Sequence, residues 1–508
     1  MAYIQFYSSL PVSFRLKDLF VAPATGIALA QDLSPNLATF SIRAGWSKVP
    51  VTYYGTSLSL AQGSVSAITF GNDDNPWIVF GSAGDPVTRF TYSNGLAAFQ
   101  GSGAAAAAVI MAGADHLRGS SRGDYLDGYA GNDTLNGGAG DDTMVGGTGD
   151  DTYYVNSQND RAVEYYQAGI DTVIAGASYT LGAETYVEIL RAAAGTKQLA
   201  LTGNKYANHL IGNDGANTLT GGGGSDTLEG GRGNDTYTIS SMRTMIIEER
   251  GGGTDTVLIS VDCALPEDSF IENLKATGGK ALELTGNSLA NTITGNDAAN
   301  LLGGMEGSDT LYGGKGGDTL YGGEGNDALY GGDGVDRLYG QNGNDKLYGG
   351  GSDGFLYGGS GADALYGAWG NDRLSGDAGN DKLYGDTGND TLYGGAGNDT
   401  LASGEGYDAF VFNTSLGQDN VDTLKDFNAW ADQIRLSQSV FGGIGSKGAL
   451  RGEKFWIGAK AHDSSDRIIY DKTSGALYYD PDGTGHEQQI KFAVIGKTEL
   501  SAAAFLVI

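Results

Sequence analysis

Between Gly304 and Val411 a nine-residue unit runs twelve times, as in GGKGGDTLY, GGEGNDALY, GGDGVDRLY and GGAGNDTLA. Glycine favours its first and fourth places. The sixth place holds Asp309, Asp318, Asp327, Asp336, Asp345, Asp363, Asp372, Asp381, Asp390, Asp399 and Asp408. The eighth holds leucine from Leu311 to Leu401 and finally Phe410. One unit is out of register, with Gly354 in the sixth place and Asp353 one residue early. So short a fixed period leaves few folds open, because each unit meets only its neighbours and cannot bury an apolar face alone.

Three residues around the apolar place suffice for a short strand that points one side chain inward and its neighbours outward. The remaining six, rich in glycine, make a turn that needs positive φ and close backbone approach. Two units then form one coil, with two strands facing each other across a thin leucine layer. Coils stack at roughly 4.8 Å, so the sixth-place aspartates stack too. Bare carboxylates at that spacing repel, and the array needs something positive between its turns. Carboxylates and turn carbonyls, with no His or Cys at repeating positions, select a hard cation, and an irregular, water-poor site favours calcium over magnesium.

These residues closely resemble the RTX calcium-binding repeat family of type I secreted bacterial proteins. The resemblance implies a parallel β-roll, with each calcium ion between turns of successive coils and many ions per chain. It also implies export by the type I secretion machinery, a secreted, extracellular or bacterial cell-surface location, and folding outside the cell on calcium. With extracellular affinities of roughly 0.1 to 1 mM, millimolar calcium contributes about 1.4 kcal/mol per site at the tight end, hence on the order of 14 kcal/mol for ten sites.

A shorter array precedes the long one, with Asp115, Asp124, Asp133, Asp142 and Asp151 in the sixth place. A third, Gly203 to Thr238, reads Asn208, Asn217, Asp226 and Asp235 there, and Asn291 and Asn300 lead into the long array. Asparagine keeps the oxygen but loses the charge, so those turns are expected to bind weakly or to form amide ladders. Asp151 and Tyr153 recur as Asp235 and Tyr237, and Asp171-Thr-Val recurs at Asp255, 84 residues on. The β-branched stretches between arrays, DTVIAGASYTL and DTVLISVDCAL, are expected to continue the solenoid without metal turns.

The expected fold is all-β. A β-roll or β-solenoid spans 114–412, with metal-binding arrays at 114–155, 203–238 and 304–411. A small β-rich domain, 1–113, precedes it, with a short helix near 104–112. A β-rich domain, 413–508, follows, similar to the capping and secretion domains behind RTX arrays. Its apolar end, Phe505-Leu506-Val507-Ile508, has Ala504 where the family often has an acidic residue. The Asp480-Pro-Asp482-Gly turn reads either as a further ion site or as a plain β-turn.

Composition agrees. The 508 residues include 86 glycines but only 8 prolines, and 40% are hydrophobic, so neither a collagen-like repeat nor disorder fits. A net charge of −30 argues against nucleic acid or an anionic membrane as partner and for bound cations. The single cysteine, Cys263, excludes an intrachain disulfide and reads as a small buried hydrophobe. No classical signal peptide and no membrane-spanning segment are expected. Four histidines, no HExxH and no GxSxG leave no catalytic set and no organic cofactor site.

The ninth place holds Tyr312, Tyr321, Tyr330, Tyr339, Tyr348, Tyr357, Tyr366, Tyr384 and Tyr393. These read either as a flat aromatic surface for glycans or lateral association, or as β-propensity on a solvated sheet. The favoured function is a non-enzymatic structural component that self-associates: a surface-layer, extracellular-matrix or filament subunit. The alternatives are a secreted polysaccharide hydrolase or lyase and an adhesin that binds cell-surface glycans.

Overall fold

The computed structural model describes 114, 116–119, 121–241 and 243–508 in full. Before them it describes the backbone of the strands Ala2–Tyr3, Ala28–Leu29, Leu37–Ala44, Ser47–Tyr54, Ile68–Asn72 and Asn75–Val79. The expected helix near 104–112 and Asp115 lie outside the described residues. Leu37–Ala44 and Ser47–Tyr54 form an antiparallel hairpin, and Ile68–Asn72 pairs antiparallel with Asn75–Val79. Among the described residues no helix is long and apolar enough to cross a membrane.

The chain divides into two compact units, Met1–Gly253 and Thr254–Ile508. In the second, successive nonapeptides alternate between two parallel sheets. Thr310–Lys315, Ala328–Asp333, Lys346–Gly350, Ala364–Trp369 and Lys382–Thr387 follow one another in one sheet. Leu301–Glu306, Thr319–Glu324, Arg337–Asn342, Phe355–Ser360 and Arg373–Ala378 follow one another in the other. The register matches Leu311 with Leu329 and Leu329 with Leu347, which is the two-unit coil read from the period. The first unit repeats the plan with shorter strands: His116–Arg118, Thr134–Asn136, Thr152–Val155 and Thr172–Ala175 pair in parallel.

The core is a column of single side chains. Leu311, Leu320, Leu329, Leu338, Leu347, Leu356, Leu365, Leu374, Leu383 and Leu392 are 0% exposed. Glycine does two separate jobs at the turns. At the fourth place φ is positive, and at Gly316, φ +115°, an added Cβ would stand 2.9 Å from the Ala298 carbonyl oxygen of the adjacent coil. At the first place φ is ordinary, but a Cβ would enter the space beside the sixth-place carboxylate. At Gly313 that point lies 2.6 Å from Asp318 Oδ2 and 2.6 Å from the Gly331 carbonyl oxygen.

Past the arrays the core changes from leucine to aromatic. Ala409–Phe412, Gln433–Leu436 and Phe505–Val507 extend one sheet in parallel. Phe441 packs edge-on against Tyr479 and Phe492, at 5.3 and 5.1 Å between ring centroids, and Phe412 meets Phe492 at 5.1 Å. Cys263 is half-buried rather than fully buried.

Because each leucine is one layer of a thin core, Leu347→Ala is expected to cost about 2–5 kcal/mol. Denaturant unfolding in saturating calcium checks this, and an unchanged midpoint would contradict the single-column core.

Candidate metal centre

The sixth-place aspartates of the long array form two stacks, one along each edge. On one edge the backbone N–H of Asp309 donates to Oδ1 of Asp327 at 2.8 Å, Asp327 to Asp345 at 2.8 Å, Asp345 to Asp363 at 2.8 Å, Asp363 to Asp381 at 2.8 Å and Asp381 to Asp399 at 2.8 Å. On the other edge Asp318 donates to Asp336 at 2.7 Å, Asp372 to Asp390 at 2.7 Å and Asp390 to Asp408 at 2.8 Å. In the first array Asp124 pairs likewise with Asp142, and Asp133 with Asp151. Asn208 and Asn217 donate to Asp226 and Asp235. All these aspartates are buried.

One oxygen of each carboxylate is thus engaged, and the other is the informative one. Oδ2 of Asp142, Asp151, Asp309, Asp318, Asp327, Asp336, Asp345, Asp363, Asp372, Asp381, Asp390, Asp399 and Asp408 is buried without a hydrogen-bond partner. Each orphaned oxygen of the long array's glycine-led turns faces the bare Cα of a first-place glycine, with a carbonyl oxygen of the next coil beside it, except at Gly394, where Asp422 Oδ2 stands beside Asp399 Oδ2 instead. A buried carboxylate oxygen lacking a donor is costly, and a cradle of oxygens with no side chain in it fits a hard cation.

Electrostatics lead to the same point. Burial, opposed in part by the backbone hydrogen bond and aided by neighbouring carboxylates, pushes Asp309, Asp345 and Asp372 up to about 7 and Asp381 to about 8. Asp142, Asp318, Asp363 and Asp390 rise to about 6 for the same reasons. Asp226, Asp235, Asp327, Asp336 and Asp399 also rise, with burial the leading cause.

The asparagine turns do not form the expected amide ladders. Their amides neither stack on one another nor leave an oxygen orphaned. Nδ2 of Asn208 donates to the Val187 carbonyl at 2.8 Å, and Nδ2 of Asn291 to that of Ile271 at 2.9 Å. At the out-of-register unit, the N–H of Gly354 keeps the ladder by donating to Asp372 Oδ1 at 2.6 Å, while exposed Asp353 accepts the N–H of Asn371 at 2.7 Å. Asp480 Oδ1 accepts the N–H of Gly483 at 2.7 Å, closing its turn with its own side chain.

Several further acids join the stacks: Asp160, one nonapeptide past Asp151, and Asp171, Asp422 and Asp432, which the nine-residue spacing does not reach. Asp160 and Asp171 accept the N–H groups of Asp142 and Asp151, and Asp422 and Asp432 accept those of Asp399 and Asp408. The stretch after the first array therefore does carry acid-lined turns. Asp160 and Asp432 spend their second oxygen on local N–H groups, of Asn156 and Asn428. Asp171 Oδ2 stays orphaned. The available signal was the acid–any–apolar triplet, Asp171-Thr-Val and Asp422-Thr-Leu, with the turn before it lengthened. A second ladder at the fifth place also went unread: Asn326 Oδ1 accepts the N–H of Asn344, and Asn371 Oδ1 that of Asn389.

Two predictions follow from this geometry. The raised values belong to the ion-free fold, whereas free aspartate titrates near 3.9. A folded-state value above the unfolded one contributes stability that is complete below about pH 4 and is lost as pH rises through the folded values, here about 6 to 8. Thermal melts in calcium-free buffer should therefore show a midpoint falling from pH 4.5 to pH 8 and recovering at pH 8 with millimolar calcium; a midpoint rising with pH without calcium would contradict the orphaned carboxylates. Gly354→Asp, at an ordinary φ, should complete the broken stack, raising the midpoint in calcium and lowering it in chelator at pH 8. No change in either condition would refute that placement.

Comparison with known proteins agrees with the geometry. The RTX calcium-binding nonapeptide repeat (4 copies) matches residues 111–144, 128–162, 202–237, 285–320, 312–347, 321–356, 339–374, 348–383 and 375–409. No curated protein matches the sequence. Among solved structures the chain is similar to the extracellular lipase LipA from Serratia marcescens, at 16% identity and a TM-score of 0.16, over 50% of this chain and 45% of that one. The chain thus spans less than half of that structure. The arrays of this chain are RTX calcium-binding nonapeptide repeats, which bind calcium ions at multiple sites.

Proposed function

We propose that this protein is a secreted structural component that calcium folds outside the cell, with a non-enzymatic role in a surface layer, extracellular matrix or filament. RTX repeat proteins are typically secreted, and the buried ladder gives the physical reason why folding waits for calcium. In a calcium-poor cytosol the stacked carboxylates oppose the roll, so the chain stays extended for type I export. The calcium ligands in this reading are Asp124, Asp133, Asp142, Asp151, Asp226, Asp235 and the sixth-place aspartates from Asp309 to Asp408, with Asp115 as the first of the series. Residues 413–508 close the roll and carry the export signal; the aromatic cluster around Phe441 supports the capping part.

The observation that carries the structural role is the tyrosine surface. Tyr312, Tyr330, Tyr348, Tyr366 and Tyr384 stack in one ladder, with centroids 4.9, 4.7, 4.9 and 5.0 Å apart and planes within 11° of parallel. Tyr321, Tyr339 and Tyr357 form a second, at 4.9 and 5.0 Å. Held by the backbone at a fixed spacing, these partly exposed rings form a rigid, periodic, amphipathic face. Such a face loses little conformational entropy on association and suits a partner that is itself periodic, above all another copy of the chain. An adhesin that stacks glycan rings is the second reading, favoured by the same parallel planes.

Electron microscopy and sedimentation of the full chain in millimolar calcium test this proposal. Ordered assemblies are expected, and Tyr330→Ser/Tyr348→Ser/Tyr366→Ser should disperse them while calcium-induced folding persists. Monomers at high concentration, together with specific retention on a glycan array, would favour the adhesin instead.

A further inference from the structure

The first array ends differently from the way it runs. Within the arrays a turn offers one sixth-place carboxylate per coil. At the last turn Asp151, Glu164 and Asp171 each present an oxygen, and these oxygens all lie within 4.8 Å of one another. The three residues are 1%, 2% and 0% exposed. Asp151 Oδ2 and Asp171 Oδ2 have no hydrogen-bond partner. Among the described residues none of the three is paired with a lysine or arginine. Gly146 leaves the cradle open: a Cβ there would collide with Asp151 Oδ2, Glu164 Oε1 and the Tyr153 hydroxyl together.

The surroundings hold these groups in place. Tyr153 donates its hydroxyl to Glu164 Oε1. The Glu164 N–H donates to Thr185 Oγ1 at 2.9 Å, and the Asp171 N–H to Glu188 Oε2 at 2.9 Å. Asp171 Oδ1 is fixed by the Asp151 N–H at 2.8 Å. Glu164 Oε2 accepts the Tyr165 N–H at 3.3 Å, so the oxygens left without a partner beside Glu164 are Oδ2 of each aspartate. Three buried carboxylates with two orphaned oxygens leave an unmet demand for positive charge that one tyrosine hydroxyl does not satisfy. All donors are oxygen, which selects a hard divalent cation. The arrangement also recurs: at Gly230 a Cβ would collide with the Tyr237 hydroxyl, Asp235 Oδ2 and Glu248 Oε1, and Tyr237 donates to Glu248.

We propose that Asp151, Glu164 and Asp171 form a calcium site of a second kind, outside the nonapeptide pattern, which fills before the ordinary turns and fixes the end of the first array. Glu164 is its defining ligand, supplied by a segment outside the nonapeptides, and Glu248, 84 residues on, plays the same part beside Asp235. More carboxylates at one ion mean tighter binding, since charge count is what tunes calcium affinity at oxygen sites. Tyr153 is a positioning residue that aims Glu164 and screens its charge before the ion arrives. The inference rests on the calcium reading of the arrays but not on any structural role for the protein.

Calorimetric calcium titration of the full chain and of Glu164→Gln/Glu248→Gln tests it. The wild type should show a tight class ahead of a larger weak class. The double variant should lose the tight class, with affinity weakened by at least about tenfold, while the weak class is kept. Asp363→Asn, inside the long array, should spare the tight class. Should the double variant fold poorly, gel filtration of the wild type in micromolar calcium gives an independent reading, with retention of about two ions per chain expected. A tight class unchanged in the double variant, or no ion retained by the wild type, would overturn this site while leaving the arrays as calcium binders. A wild type that takes up no calcium at all would overturn both.

Discussion

One carboxylate per coil on each edge, stacked on the next, is the constraint on which the rest of the roll depends. Along the unbroken runs of the long array the backbone N–H of a sixth-place aspartate donates to Oδ1 of the aspartate one coil later, as Asp345 does to Asp363, so the polypeptide itself fixes the stack. Fixing it buries Oδ2 with nothing to accept from. First-place glycine is then required by space rather than by dihedral angle, because a Cβ would occupy the cradle beside that oxygen. Fourth-place glycine is required by dihedral angle, because the chain must reverse within six residues. The apolar core cannot offset the buried charge freely, since each nonapeptide contributes a single leucine to it. A thin core and a dense charge ladder together leave the roll with a demand for positive charge at its turns.

The same thinness shapes the end of the solenoid. A column of single leucines has no width, and its last layer would face water. The C-terminal segment answers with larger groups, replacing Leu401 by Phe410 and then gathering Phe412, Phe441, Tyr479 and Phe492 into edge-on contacts. Aromatic rings cover more area per residue than leucine, which suits a segment that must close a face as well as extend a sheet. Asp422 shows where charge and cap meet. Burial first, then the neighbouring Asp399, pushes its carboxyl up to about 8.

The sequence made the roll legible because three properties share one period. Acid at six, leucine at eight and glycine at one and four repeat together, so register, coil size and the choice of cation follow from the same alignment. Legibility failed where the period did. Asp171 and Asp422 stand in the stacks, yet the turns before them are longer than six residues, and counting by nine passes over them. Glu164 stands at no nonapeptide place; its recurrence as Glu248, 84 residues on, is a trace of it in the sequence, but the fold is what brings it to Asp151. The asparagine turns were read correctly as losing charge but incompletely as to geometry. An amide differs from a carboxylate in having a donor, and what that donor would meet depends on the neighbouring coil.

That difference explains where asparagine stands. Asn291 precedes Asp309 in its stack, and Asn208 precedes Asp226. Toward the array each behaves as an aspartate does, its backbone N–H donating to the next carboxylate at 2.6 and 2.9 Å. Away from the array each uses its amide, donating to the Ile271 or Val187 carbonyl of a coil that carries no sixth-place acid. An aspartate in that place would set a second buried acceptor against the carbonyl and would need an ion where only one side supplies carboxylates. Asparagine joins a coil held by hydrogen bonds to a coil held by charge, with both ends of its own amide partnered. The two later arrays begin on asparagine because the boundary between a neutral solenoid and a charged one needs a side chain that accepts on one side and donates on the other.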